Sequence, residues 1–218
     1  MNSIILDKSE PFKSYRLNYL FFHNKWADKK LNTTIKKLKY SENFIYFVET
    51  MNSLKEEVLF KSRAHGIRHN EKTAIIVFCM AEYDQLNFND FQLLLIAALY
   101  HDVGRLSDGL DYGHGERSAK MIDYIFSKFD EIDQLLLKIV MHAHSEDDEC
   151  FENIIMNYNC PKCEFSRGLL LMKYFKDADA LDRFRLRDDG CDPNYLRCDI
   201  SRSLIPFSKS LNQLYKNI

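Results

Sequence analysis

The chain has 218 residues, 46% of them apolar and 28% charged, which suffices for one sizeable core and excludes a disordered polar chain. Its 30 basic and 32 acidic side chains leave a formal charge of −2 with no basic tail or stripe, so composition offers no footing for non-specific nucleic-acid binding. Only 7 glycines and 4 prolines argue against an all-β chain dense in tight turns.

Along the chain, Met1 to Phe12 carries Asp7, Lys8 and Glu10 and has no apolar stretch before small residues, so it does not read as a signal peptide. The first 60 residues are rich in lysine and aromatics and hold no chemical constellation. They are expected to form a helical extension packed on the core, residues 1–60, ahead of the domain that carries the chemistry, residues 61–218. Phe44, Phe47, Val48, Met51 and Leu54 recur at helical steps after Ser41, which reads as an N-cap. A helix is expected from His69 to Glu82, and another from Phe91 to about Asp102, capped by Asn89 or Asp90. The run from Phe91 to Tyr100 is too short to span a bilayer, and a helix apolar on most sides belongs at the centre of a fold. Gly104 to Gly115 holds four of the seven glycines and reads as a loop. Further helices are expected at Glu116–Phe129, Ile132–Ala143 and Ser166–Phe184, with an irregular polar stretch from Ser145 to Cys163. A turn at Asp188 to Pro193 precedes a short C-terminal helix. The architecture is mostly α, in one domain.

Six scattered cysteines, without a secretory signal, are expected to be free thiols of a reducing cytosol, and the chain to be cytoplasmic. Cys160-Pro-Lys-Cys163 is a single CxxC, whereas a structural zinc site usually needs two such pairs, so a polar loop with two thiols is the default.

His101 and Asp102 end the most apolar helix, and a carboxylate beside such a run needs a partner, because burying it alone costs several kcal/mol. A metal ion is one such partner. Adjacent helical residues diverge by about 100°, so both can reach one ion only where the backbone ends, as the following Gly104 allows. Asp177 lies among Tyr174, Leu170, Leu181 and Phe184 on an apolar helix face, while Asp179 and Asp182 lie nearer Lys176 and Arg183 and read as solvated or salt-bridged. The plain alternative for Asp177 is a buried partner of an arginine. His69, with His65 four residues earlier, completes a mixed N/O set (His69, His101, Asp102, Asp177) suited to Mn, Fe, Co, Ni, Zn or Mg.

The segments Ala64-His-Gly-Ile-Arg-His69, Ala97-Ala-Leu-Tyr-His101-Asp102 and Lys176-Asp177-Ala-Asp-Ala-Leu-Asp182-Arg183 together resemble the HD-domain metal-dependent phosphohydrolase superfamily, over roughly Ser62 to Leu186. His101-Asp-Val-Gly-Arg105 with Asp108-Gly-Leu-Asp-Tyr-Gly-His114-Gly-Glu-Arg117 is similar to a small bacterial branch of HD proteins. The resemblance implies an all-α bundle, hydrolysis of phosphate esters, His69 rather than His65 as first ligand and Asp177 as last. Extra histidines in the interval after the HD pair resemble those of members with a second ion or an added phosphate contact, here His114 and His144, with His142 the spare. One or two divalent ions per chain are thus expected. Arg105, Arg117 and Lys72 are the expected phosphate contacts. Tyr112, Tyr174 and Phe175 could line a base pocket but are core candidates first. Related enzymes often carry an acidic residue shortly after the HD pair, where this chain has Gly104 and Arg105.

The expected chemistry is metal-assisted attack of water on phosphorus, with Asp102 at the ion, Arg105 neutralising the phosphate and His114 or His144 protonating the leaving group. The substrate class would be a small phosphate ester, a nucleotide or cyclic nucleotide foremost, with no membrane partner and nucleic acid not indicated. Two other classes stand beside it: a non-catalytic HD module that senses a nucleotide or metal, and a di-iron HD oxygenase, which requires all six ligands.

Overall fold

Four of the helices start where a side chain can take up a first free amide. The computed structural model describes residues 11–23 and 28–218, so most of the segment read above as lacking a leader lies outside the described residues. Ser14 caps α1 (Tyr15–Phe22) by accepting from the Leu17 amide, and Asp28 caps α2 (Lys29–Lys39) through the Leu31 amide. The next helix, α3 (Phe44–Asn52), follows Asn43 rather than Ser41, and no side chain caps it. Gly66 precedes α4 (Ile67–Asp84). Asn87, not Asn89 or Asp90, caps α5 (Phe88–Tyr100), which therefore starts three residues earlier than its apolar pattern suggests. Then come α6 (His114–Ile125), α7 (Glu131–Ala143, capped by Asp130), α8 (Phe151–Asn157) and α9 (Phe165–Asp182). The chain closes with α10 (Asp199–Ser203) and α11 (Ile205–Asn217).

The structure is 70% helical, with eleven α-helices and no strand among the described residues. It is the all-α architecture expected. Three further elements differ from the sequence pattern. The helix expected to run to Phe129 ends at Ile125, where Phe126 turns extended. The stretch from Ser145 to Cys163 contains α8, because Phe151, Ile154 and Ile155 supply a short buried face. The C-terminal region ends in 13 helical residues, with Phe207, Leu211, Leu214 and Tyr215 turned inward.

The centre is a four-helix group in which α4 packs on α5 and α9, and α7 packs on both α5 and α9; α6 lies along α7. Every residue from Leu93 to Tyr100 is buried, as a helix enclosed on all sides must be. The aromatic residues before α4 share this core rather than a separate one. Phe47 stacks on Phe78 of α4 at 4.7 Å between centroids, and Phe12, Phe21 and Phe44 surround the pair. Arg16 fixes the register by reaching the buried Glu71 carboxylate at 2.8 Å, which also accepts from the Ser14 hydroxyl. Phe78 is fully buried, and truncating such a ring to alanine costs about 3–5 kcal/mol. No helix among the described residues is long and apolar enough to cross a membrane.

Candidate metal centre and its cleft

Four histidines stand at or near helix ends that converge on one point. His69 is the third residue of α4, His101 follows α5, His114 opens α6, and His144 follows α7. The end of α5 at Tyr100 resolves the 100° divergence of neighbours, since Asp102 already lies in the turn and its carboxylate folds back beside the His101 ring. Two glycines make the convergence possible. A Cβ on Gly104 would lie 2.7 Å from Arg117 Cβ at the start of α6, and one on Gly115 would lie 2.6 Å from the His142 carbonyl at the end of α7. Backbone thus packs directly on backbone where the four ends meet.

The groups form two pairs around one carboxylate. His69 Nε2 and His101 Nε2 are 3.0 Å apart, with Asp179 Oδ1 at 3.2 and 3.9 Å and Asp102 Oδ2 at 3.7 and 3.4 Å. His114 Nε2 and His144 Nε2 are 2.9 Å apart, with the other Asp102 oxygen, Oδ1, at 3.3 and 3.8 Å. Phe175 of α9 wedges its fully buried ring between the two sets, 5.3 Å from His101 and 5.8 Å from His144.

The ring tautomers follow from the outer nitrogens. His69 Nδ1 faces Asp182 Oδ2 at 2.7 Å, and the Nδ1 atoms of His101, His114 and His144 face the carbonyls of Ala98, Asp111 and Met141 at 3.2, 2.7 and 2.6 Å. These partners only accept, so each Nδ1 carries the proton and each Nε2 presents a lone pair inward. Two lone pairs at about 3 Å repel unless a cation lies between them. Metal–nitrogen bonds of about 2.0–2.1 Å place two nitrogens at a right angle on one ion about 3 Å apart. Asp102 Oδ2 is buried and makes no hydrogen bond, although Oδ1 accepts from Arg105 Nε at 2.8 Å. Burial opposes charge on Asp102 and Asp179, yet hydrogen bonds and charge from the neighbouring His101 and His69 imidazoles, which share a proton inward where no ion is bound, keep both carboxyls well below the usual range. Deprotonated carboxylates and inward lone pairs form a donor set that fits one or two divalent ions.

The sequence placed Asp177 in this cluster, and the structure places it elsewhere. Asp177 is fully buried, but its oxygens accept from the Arg197 and Cys198 amides, each at 2.8 Å, and from the Arg197 guanidinium at 3.0 Å. The burial of Asp177 was legible; its partner is the arginine of the plain alternative, together with two amides. Asp179, two residues on and about 200° around α9, meets His69 and His101 instead. Asp182 is not solvated either. It is fully buried, orients the His69 ring, and pairs with Lys72 Nζ at 2.9 Å. The three-residue step from Asp179 to Asp182 sets both on the His69 side of α9, and that spacing was the signal available in the sequence.

Other expected residues separate in the same way. Lys72 is buried against Asp182 and Asn212, which takes it away from any phosphate at the cluster. Arg117 fastens the loop before α6, donating to the Gly104 carbonyl at 2.8 Å and to Asp111. Arg105 does face the site but is engaged by Asp102. His142 lies against Tyr158, outside the cluster. Tyr112 is 83% exposed on the loop, and Tyr174 bonds Asp84, so neither forms a base pocket with Phe175. Cys160 is buried and Cys163 exposed, and among the described residues neither belongs to a metal-ligating group.

The cluster opens into a cleft of about 920 Å³, to which Asp102, His114, His144 and Asp179 are presented. Arg105, Lys176, Arg183, Arg185 and His65 line its walls. Arg183 is exposed one turn beyond Asp179, and among the described residues its guanidinium has no hydrogen-bond or ion-pair partner. His65 sits in the turn before α4 and bonds Asp108 at 2.9 Å; it reaches the cleft wall, not the ion cluster. These groups were not legible together, since they come from three separate stretches of chain, at 65, 105 and 176–185. The HD domain family model matches residues 66–183, more than half of the chain and all six clustered side chains. No curated protein and no solved structure matches the chain.

Proposed function

Because the chain belongs to the HD domain family, a superfamily of metal-dependent phosphohydrolases, we propose that it hydrolyses a small phosphate ester, a nucleotide or cyclic nucleotide foremost. The observation that carries this is Asp102, which offers one oxygen to each of two histidine pairs at the floor of a cleft whose walls mix Arg105, Lys176, Arg183, Arg185 and Arg197 with the carboxylates of Asp108 and residues 146–149. His69, His101, Asp102 and Asp179 would hold a first ion, and His114, His144 and the second oxygen of Asp102 a second. Bound there, divalent ions supply Lewis acidity and lower the pKa of water toward neutrality. Asp182 keeps the His69 proton on Nδ1, and the three carbonyls do the same for the other rings, so all four Nε2 atoms stay available. Arg183 and Arg105 are placed to neutralise a phosphoryl group, Arg183 as the unpaired one. If His114 and His144 both serve a second ion, leaving-group protonation falls to another group on the cleft wall, where His65 is a titratable candidate.

The test is a panel of phosphomonoesters, nucleotides and cyclic nucleotides with Mn²⁺, Co²⁺, Mg²⁺ or Zn²⁺. Turnover that requires metal and disappears in Asp102→Ala is expected; a fully active Asp102→Ala would overturn the assignment. The complete six-group set also meets the requirement of a di-iron oxygenase. Iron content with oxygen consumption, absent phosphate release, would favour that second reading.

A further inference from the structure

A second basic pocket, of about 450 Å³, lies on the other side of His69 and shares Asp108, Arg185 and Leu186 with the catalytic cleft. We propose that it binds the phosphate of a nucleotide or polyphosphate, as a site separate from the ion cluster. Arg63, Arg68, Lys72, Arg185 and Lys216 line it, against one carboxylate, Asp108, which is itself engaged by Ser62 and His65. On a chain of formal charge −2, this is a local concentration of positive charge in which Asp108 is the one lining carboxylate among the described residues. Arg63 and Lys216 are exposed, and among the described residues neither has an ion-pair or hydrogen-bond partner.

The buried Lys72 forms the floor, with the exposed Arg68 and the half-buried Arg185 held beside it. Lys72 is held by Asp182 and Asn212, and Arg68 by the Tyr215 carbonyl at 3.2 Å. Arg185 is fixed by the Ala64 carbonyl at 2.7 Å and reaches Asp182 at 3.3 Å. Burial lowers the Lys72 pKa, Asp182 raises it, and Arg185 and Lys216 lower it again, so these cations act on one another across the pocket. An anion there relieves that repulsion. Guanidinium forks favour a phosphate with several oxygens, and the volume is that of a nucleotide-sized ligand. The pocket is independent of the phosphohydrolase assignment, since none of its cations needs an ion at the cluster.

Calorimetric titration of the full chain in excess EDTA, with inorganic phosphate, pyrophosphate and a nucleoside triphosphate as probes, tests it. Saturable binding is expected, weakened about tenfold or more in Arg63→Ala/Lys216→Ala, the loss of two unpaired charges at the mouth. Pyrophosphate and triphosphate binding alike would mark a polyphosphate site; triphosphate alone would mark a nucleotide site. Arg183→Ala, in the other cleft, should leave the affinity unchanged. Absence of saturable binding at millimolar probe, or loss of binding in Arg183→Ala but not in Arg63→Ala/Lys216→Ala, would overturn the proposal. Both variants alter exposed side chains, and an unchanged melting temperature establishes that they fold.

Discussion

Replacing Asp177 and Asp179 separately by alanine should split stability from metal binding. Asp177→Ala removes the acceptor of the Arg197 and Cys198 amides and leaves both amides without their partner. Each stranded donor costs about 1–3 kcal/mol. The Arg197 guanidinium adds little, because it is partly exposed and keeps Asp148 at 2.7 Å. A loss of about 3 kcal/mol follows, which for a chain of this size lowers the melting temperature by roughly 6–12 °C. Asp179→Ala should change the melting temperature in EDTA by only a few degrees, since its carboxylate is partly exposed and no backbone amide depends on it. Its deficit should appear on adding metal. A saturating ion at about 100 times its Kd stabilises the wild type by about 2.7 kcal/mol, and that increment should shrink or vanish in Asp179→Ala while surviving in Asp177→Ala. Thermal melts with and without EDTA, together with metal content after desalting, read both effects. If Asp177→Ala melted normally but bound no metal, while Asp179→Ala bound metal as the wild type does, the reasoning from α9 geometry would be refuted.

Asp182→Asn leaves an acceptor for His69 but strips Lys72 of its counter-charge, and metal affinity should fall about 10–100-fold. Adding Lys72→Met should recover stability without recovering affinity; recovery of both would mean that Asp182 serves only the lysine. Gly115→Ala should drive α6 from the end of α7, separating His114 from His144 and abolishing binding of a second ion while a first still binds; a ratio of two ions per chain in this variant would contradict the packing. Asp148 is held down to about 2, chiefly by its hydrogen bonds from Arg197, against burial and with help from Lys176. Its folded pKa lies below the ordinary 3.8, so its contribution is complete above about pH 4 and is lost as pH falls toward 2. Acid unfolding of Asp148→Asn should therefore differ from wild type above pH 4 and converge with it near pH 2; a constant difference down to pH 2 would contradict the shift.

Helix periodicity made α4, α5, α7 and α9 legible, because their apolar residues face one core at fixed steps. His69, His101 and Asp102 were legible as groups that such a core cannot hold uncompensated. The choice at α9 failed for a physical reason. Burial identifies a carboxylate that needs a partner, but does not say whether an ion or an amide supplies it. Asp177 meets amides from a segment 20 residues further on, and no local pattern encodes that contact. The cleft cations were hidden likewise, since Lys176, Arg183 and Arg105 become neighbours only once α5 and α9 are packed. The helix within 145–163 escaped because only three of its seven residues are buried.

The two histidine pairs are not equal claimants on Asp102. The first pair has a carboxylate of its own in Asp179, whereas among the described residues Asp102 is the one carboxylate beside the second pair, and Arg105 competes for the oxygen involved. Occupancy should consequently be hierarchical, with a tightly retained ion at His69 and His101 and an exchangeable one at His114 and His144. The same asymmetry sets the direction in which the centre can be simplified. A lineage could shed His114 and His144 and keep the four groups of the first site, but losing Asp102 would take a carboxylate from both.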